Sequence, residues 1–355
     1  MKVNGEKYRS IWRDKDSNEV NIIDQRYLPH LLKVIKLVSL NDYCSAISDM
    51  KVRGAPLIGV TAAFAVADSM EKDSSIANLN KTCDLLSKTR PTAVNLFWAL
   101  NFLKDNLTNT NDSERAKKAH NFADIFFEED IKKNKSIGEE GYKILADLSK
   151  KKNNKLLNVL THCNAGWLAT VDWGTALAPI FRANREGINI HVWVDETRPR
   201  NQGGLTAWEL LNEGIDHTMI VDNSGGHLMQ RGLVDVVIVG SDRTTAAGDV
   251  CNKIGTYLKA LAAKDNNIPF YAALPSSTID WNILNGLNGI PIENRSSEEI
   301  DHISGLDPEG NLKTIRIHSE DVKSLNPAFD VTPSKFVTGI ITEKGVFPPN
   351  EETLR

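Results

Sequence analysis

The sequence predicts an α/β protein in which a mainly helical N-terminal part precedes a parallel β-sheet with covering helices. Three observations carry that expectation. Between Leu156 and Thr342, short apolar runs alternate with helix-length segments, the signature of successive βα units. Runs such as Asp235-Val236-Val237-Ile238-Val239 are continuously apolar, as strands buried on both faces are. Before about residue 150 the apolar spacing is helical instead.

In chain order, a helical stretch at Ser45–Met50 runs into the break at Arg53-Gly54-Ala55-Pro56, and an apolar helix continues through Ala62 to Met70. Further helices are expected from Thr92 to about Leu107, from Ser113 to about Glu129, and from about Ser136 to Ser149. The run Lys150-Lys151-Lys152-Asn153-Asn154-Lys155 reads as a solvated connection, which divides the chain into units 1–150 and 151–355. Strands are expected at Leu156–Thr161, Ile188–Asp195, His217–Asp222, Val234–Gly240, Ile268–Leu274 and Phe336–Thr342. Helices fall between them near Gly174–Glu186, Thr206–Gly214, Gly226–Arg231 and Ile254–Asp265.

Composition excludes several classes. A length of 355 residues, with 41% apolar and 25% charged, suits two ordinary globular cores. A net charge of −4 supplies no basic field for nucleic acid or an anionic membrane. The start MKVNGEKYRSIWRD has no apolar signal region, and no apolar run approaches the roughly 18–20 residues of a membrane helix. Four cysteines, Cys44, Cys83, Cys163 and Cys251, form no CxxC pair, as expected of a reduced cytoplasmic chain without structural zinc. Eight scattered histidines offer no HExxH pair, so no catalytic metal is expected. The turn after the first strand reads CNAGWLATVDWG instead of GxGxxG, and no GKS or GKT occurs, so no nucleotide cofactor is expected either.

Polar and reactive residues cluster just beyond the strands. The ends carry Thr161-His162-Cys163-Asn164, Asp195-Glu196-Thr197-Arg198, Asp222-Asn223-Ser224, Ser241-Asp242-Arg243-Thr244 and Pro275-Ser276-Ser277-Thr278. In an open parallel sheet those ends share one crevice, where ligands bind. Turn and cap chemistry accounts for Asp222, Asn223 and Ser276, but poorly for Cys163 and Arg198. His162 reads more readily as a hydrogen-bonded structural histidine than as a base or ligand. Three segments suit an anion at a helix start: Arg53-Gly54-Ala55, Arg90-Pro91-Thr92-Ala93-Val94-Asn95 and Asn252-Lys253-Ile254-Gly255. A thiolate at Cys163, if cations lower its pKa, can take a carbon-bound proton, and a carboxyl group at Asp242 in a dry pocket can serve as general acid. Such a pair on neighbouring strand ends suits aldose–ketose isomerisation. The other three cysteines read as small buried hydrophobes.

The chain also resembles, almost end to end, the methylthioribose-1-phosphate isomerases of methionine salvage. The matching stretches are VRGAPLIGV (52–60), RPTAVNLFWAL (90–100), LTHCNAG (160–166), VWVDETRPRNQG (192–203), LTAWEL (205–210), VIVGSDRTTAAGDVCNKIGTY (237–257), IPFYAALPSSTIDW (268–281), IPIENR (290–295) and NPAFDVTPSKFVTGIITEKG (326–345). The resemblance implies a small helical N-terminal domain with a short sheet, a Rossmann-like domain without nucleotide, a homodimer, and no metal or other cofactor. It assigns Cys163 and Asp242 as catalytic, and Arg53, Gly54, Ala55, Arg90, Gln202, Asn252 and Lys253 as substrate-binding. It implies that Asp242 protonates the ring oxygen and that hydrogen then moves from C2 to C1, through Cys163 or as hydride.

Three departures from the family pattern fall on loops expected to line the crevice. Trp167 follows CNAG where the family has CNTG and a small residue. QGGLTAWEL (202–210) is one residue shorter than QGARLTAWEL, and DNSGG (222–226) replaces DNMAA. They leave the catalytic pair intact and the group at C5 open, methylthio or plain methyl. The nearest alternative is therefore a 5-deoxyribose-1-phosphate isomerase, with dual specificity included; a ribose-1,5-bisphosphate isomerase needs further cations. A non-catalytic scaffold like the regulatory subunits of initiation factor 2B is the alternative from another class, and the retained Cys163 and Asp242 argue against it.

Overall fold

The structure, a computed structural model, describes residues 1–90 and 94–355. Its main sheet has seven strands in the order Gly345–Phe347, Gly339–Thr342, Phe270–Ala273, Val236–Val239, Leu157–Thr161, Ile190–Asp195, Asp216–Ile220. All pairs are parallel except the edge hairpin of Gly339–Thr342 with Gly345–Phe347. All six expected strands are present; five lie within the expected bounds, and the third, Asp216–Ile220, begins one residue earlier and ends two sooner than expected. The first and fourth of them are neighbours, with Val159 opposite Val236 and Leu160 opposite Val237. The order of strands therefore reverses between them.

Side-chain alternation explains why those strands are apolar throughout. Val236 and Ile238 enter one core with Phe181 of the helix Leu177–Arg185. Val237 and Val239 enter the opposite core with Ala260 and Ala263 of the helix Thr256–Asp265. With both faces covered, a period-two strand has no polar position to show.

The N-terminal part is built around the helix Ala55–Lys72, buried from Leu57 to Ala67. Helices Leu40–Ser48, Ile76–Ser87 and Val94–Thr108 surround it, with an antiparallel sheet of Ile11–Arg13, Val20–Ile23 and Val34–Leu37. The start expected for the fourth helix, at Thr92, lies outside the described residues.

The two helices expected over Ser113–Glu129 and Ser136–Ser149 are one helix, Asp112–Lys151. The six residues joining them contain no Gly or Pro, and Asn134 turns its amide inward onto the Asp130 carbonyl (2.8 Å). This helix reaches both cores, with Ala123 and Phe126 in one and Ile137 and Leu145 in the other. Gly141 lets it touch the helix Leu177–Arg185, since a Cβ there would sit 2.3 Å from Pro179 Cγ. Of the basic run, Lys150 and Lys151 still belong to the helix, and the turn falls at Asn153 and Asn154, both at positive φ.

A second sheet was not expected: Ile279–Asp280, Arg243–Thr245, Val250–Lys253 and Phe329–Thr332, in that order. Its strands are two to four residues long. So short a strand barely establishes a period.

Candidate active site

Cys163 lies just beyond the strand Leu157–Thr161, and Asp242 just beyond the adjacent strand Val236–Val239, so both stand where the strand order reverses. That is the ligand-binding point of open parallel sheets. Cys163 has φ 70°, an uncommon conformation for a residue with a side chain. Its amide donates to Thr197 Oγ1 and its carbonyl accepts from Thr206 Oγ1, both at 2.8 Å. Asp242 enters the small sheet, where its amide donates to the Cys251 carbonyl (2.9 Å). Because Arg243 pairs with Cys251 in an antiparallel ladder, Asn252 and Lys253 are carried alongside Asp242.

One cavity gathers these groups. Cys163 and Asp242 come from the sheet edge, Asn252 and Lys253 from the small sheet, and Gln202 from the helix Gln202–Asn212. Arg53, Gly54, Ala55 and Arg90 come from the N-terminal half. All nine residues singled out from the sequence therefore line one space. Gly54 is at φ 87° and caps the helix Ala55–Lys72 without a side-chain hydrogen bond, leaving that helix start open to an anion.

The electrostatics separate Cys163 and Asp242 from ordinary surface residues. Burial raises the Asp242 carboxyl against the opposing pull of Lys253 and Arg90. Burial also pushes the Cys163 thiol up to about 11, although Lys253 and Arg53 act in the other direction. Desolvation thus outweighs the neighbouring cations at Cys163. Lys253 is itself lowered by burial, with its ammonium 4.7 Å from the Phe329 ring centre.

Other readings change in detail. Asn252 and Lys253 lie on a strand and not at a helix start. Amides at the next helix start are already occupied, since Gly255 and Tyr257 donate to Asp330 at 2.7 and 3.1 Å. An anion is thus met there by the Lys253 side chain. Residues 91–93 of the Arg90 segment lie outside the described residues. His162 is structural as expected, with Nδ1 at 2.9 Å from Asp195 Oδ2 and Nε2 at 2.8 Å from the Ile254 carbonyl. His162, Asp195 and Asp222 bring potential ligand atoms together, but the Lys259 ammonium sits 3.2 Å from Asp195 Oδ2. A cation is already built in there.

Arg198 is drawn away to the Ile300 carbonyl (2.8 Å), while Arg200 and Arg295, not singled out from the sequence, line the cavity. Arg200 lies two residues before Gln202 in the TRPRNQG stretch, and that proximity was the available signal. Both arginines hold Glu299, at 2.5 and 2.7 Å.

Of the residues that depart from the family pattern, Ala165 of CNAG lines this cavity, whereas Trp167, Gly203 and residues 222–226 do not. Trp167 is fully buried in the core, with its ring centre 6.0 Å from that of Trp208. Gly203 backs onto the sheet, where a Cβ would meet the Asp195 carbonyl at 1.9 Å. The expected effect at the substrate end therefore rests on Ala165, the departing residue in the cavity lining.

Fold and cavity together define a Rossmann-like protein with a cation-lined cavity at the switch point of its sheet. Residues 51–349 match the model of the Initiation factor 2 subunit family. The methylthioribose-1-phosphate isomerase of Rhizobium meliloti (strain 1021) is 55% identical over 357 residues, spanning 100% of this chain and 98% of that protein. A crystal structure of 5-methylthioribose 1-phosphate isomerase from Pyrococcus horikoshii OT3 matches with TM-score 0.82 at 40% identity, covering 98% of this chain and 94% of that one. A translation initiation factor eIF-2B, subunit delta, from A. fulgidus matches with TM-score 0.80 at 39% identity, covering 98% and 97%. The chain belongs to the Initiation factor 2 subunit family and, within it, to the methylthioribose-1-phosphate isomerases.

Proposed function

We propose that this protein converts 5-methylthioribose 1-phosphate to 5-methylthioribulose 1-phosphate in methionine salvage, with Cys163 and Asp242 as its catalytic residues. The observation that carries this reading is the placement of that pair on adjacent strand ends within one cation-lined cavity. Arg53, Arg90 and Lys253 supply charge for the phosphate, and the Gly54–Ala55 amides add donors at the helix start. Gln202 and Asn252 offer hydrogen bonds to hydroxyl groups. Arg200 and Arg295 extend the set.

The substrate dictates the chemistry. Phosphate on the anomeric oxygen prevents opening as a free aldose, so the ring oxygen has to be protonated as its bond to C1 breaks. Asp242, raised by burial, holds the proton that step needs. Hydrogen then moves from C2 to C1, and the proton lost from the C2 hydroxyl balances the one gained by the ring oxygen. A thiol pushed to about 11 is a poor source of thiolate, which favours hydride movement beside Cys163 over proton abstraction by it.

The scaffold reading has in its favour the likeness to the initiation factor from A. fulgidus. A cavity in which a buried acid, a thiol and several cations converge is costly to maintain for a purely structural role. Among the described residues, no helix is long and apolar enough to cross a membrane. The reading further includes a cytoplasmic homodimer without nucleic-acid partner or cofactor, and a unit 1–150 that lends arginines to a catalytic unit 151–355.

The test is metal-free conversion of 5-methylthioribose 1-phosphate and 5-deoxyribose 1-phosphate by wild type, Cys163→Ala and Asp242→Asn. Preference for the thio substrate, lost in both variants, supports the assignment. Equal or better use of the deoxy substrate moves the biology to sugar disposal, and no turnover of either returns the scaffold.

A further inference from the structure

Glu209 is fully buried on the helix Gln202–Asn212, and the charge acting on it is another carboxylate, Glu213. A carboxylate buried without a cation is costly unless hydrogen bonds satisfy it. Here three donors do so, and all belong to the turn that begins at Cys163. Asn164 Nδ2 and the Leu168 amide reach Oε1 at 2.8 and 3.2 Å, and the Trp167 amide reaches Oε2 at 2.7 Å.

We propose that Glu209 is a positioning residue for the reaction: its carboxylate clamps the 163–168 turn and so fixes where the Cys163 thiol stands relative to Asp242. Four further observations agree. Gly166 lies against the carboxylate so closely that a Cβ there would fall 1.9 Å from Oε2. Thr206, one helical turn earlier, donates to the Cys163 carbonyl and accepts from Asn164 Nδ2 at 3.2 Å. Gln202, a further turn back, lines the substrate cavity. Residues 202, 206 and 209 share one helix face, so a single rigid element joins a substrate contact to the support of the catalytic turn. Finally, Cys163 occupies a positive-φ conformation that persists only where its surroundings enforce it.

A glutamine does not reproduce this clamp: it keeps one acceptor but turns an NH2 group towards the Trp167 or Leu168 amide. Burial raises the Glu209 carboxyl, and the Asn164, Trp167 and Leu168 donors oppose that rise because each binds the ionised form. The proposal rests on the reading that Cys163 takes part in the isomerisation, and the test separates the two.

The experiment compares wild type, Glu209→Gln, Asn164→Ala and the double variant by kcat, KM, melting temperature and the rate at which iodoacetamide alkylates Cys163, read by peptide mass spectrometry. The alkylation rate needs no substrate, so it reports on the clamp even if the substrate assignment fails. Misplacing a reacting group by about 1 Å costs about 100-fold, so Glu209→Gln should lose about that much kcat. KM should move less than about threefold, because the binding groups are untouched. Cys163 alkylation should shift by several fold in both variants, with the Asn164→Ala effect smaller and largely absent once Glu209 is already Gln. A variant that melts earlier while kcat and Cys163 alkylation stay at wild-type values below its melting point would overturn the proposal. So would additive effects of the two substitutions. If Glu209→Gln does not fold, an unchanged kcat and alkylation rate in Asn164→Ala overturns it equally.

Discussion

Arg53 and Arg200 present two guanidinium groups to one cavity, and the Nε of each is buried without a hydrogen-bond partner among the described residues. Burial lowers the Arg53 pKa to about 9, and the charge of Arg200 is the next cause. Glu299 already balances Arg200, so an anion in the cavity adds a counter-charge for Arg53 and a partner for the two unused Nε donors. The cavity therefore suits a phosphate group.

Arg200→Met should raise KM by about 10–100-fold, the loss of one charge-assisted hydrogen bond. It should change kcat far less, since Asp242 and Cys163 are untouched. Inorganic phosphate should protect wild type against thermal unfolding more than it protects the variant. Steady-state kinetics and melting curves with and without phosphate check both. Unchanged KM would place the phosphate at the other cations.

Asp242 should behave as an acid that must keep its proton. Its folded pKa is raised by burial, so the protonated form persists to higher pH than for an exposed aspartate. Activity dependent on that form is complete below the raised pKa and is lost as pH climbs through it. The kcat/KM profile of wild type should therefore fall on its alkaline side. Asp242→Asn should lose about 100–10,000-fold, the usual worth of a general acid, and its residual rate should lack that limb. An alkaline limb that survives in the variant would assign it to another group.

The route of the hydrogen can be read from an isotope. With the Cys163 thiol pushed up to about 11, little thiolate exists near neutral pH to carry a proton. A substrate deuterated at C2 should give ketose with deuterium retained at C1, by mass spectrometry after partial conversion in ordinary water. Washout of the label would instead show a proton exchanging from Cys163 or another base. A rate rising steadily towards pH 11 would point the same way.

Much of this site was legible in the sequence because strand ends in a parallel sheet converge whatever the loops do. Asp242 comes after a continuous apolar run and Cys163 after one broken only by Asn158, and these buried runs placed them at the same edge. The small sheet carrying Asn252 and Lys253 was not legible, since two to four residues hold too little period to distinguish strand from loop. Arg200 was passed over for Arg198 because nothing in a loop's composition tells which of two nearby arginines faces inward. The long helix was read as two since Asp130 and Asn134 put buried polar residues where apolar ones would mark its inner face, which weakens the periodic signal without breaking the backbone. Glu209 looked like any helix glutamate, and only its burial reveals what it holds.

Gly54 tests the contact between the N-terminal helix and the Cys163 turn. It sits at φ 87°, and an added Cβ would fall 2.2 Å from the Ala169 carbonyl oxygen and 2.6 Å from the Ala169 side chain. The obstacle is backbone, so no rotamer change removes it. Ala169 closes the 3-10 turn Trp167–Ala169, whose first amide is held by Glu209. Gly54→Ala must therefore either push that turn back towards the sheet or tilt the helix Ala55–Lys72 away from the cavity. Either movement displaces Arg53 and the open helix start from the phosphate position. The strained φ alone costs about 1–3 kcal/mol, and the steric conflict adds to it. The expected outcome is a lower melting temperature together with a raised KM, whereas Gly5→Ala, also at positive φ but with nothing within 4 Å of its Cβ, should lose stability without change in KM. If both substitutions lower stability alike and leave KM alone, the close approach at Gly54 serves the fold and not the substrate.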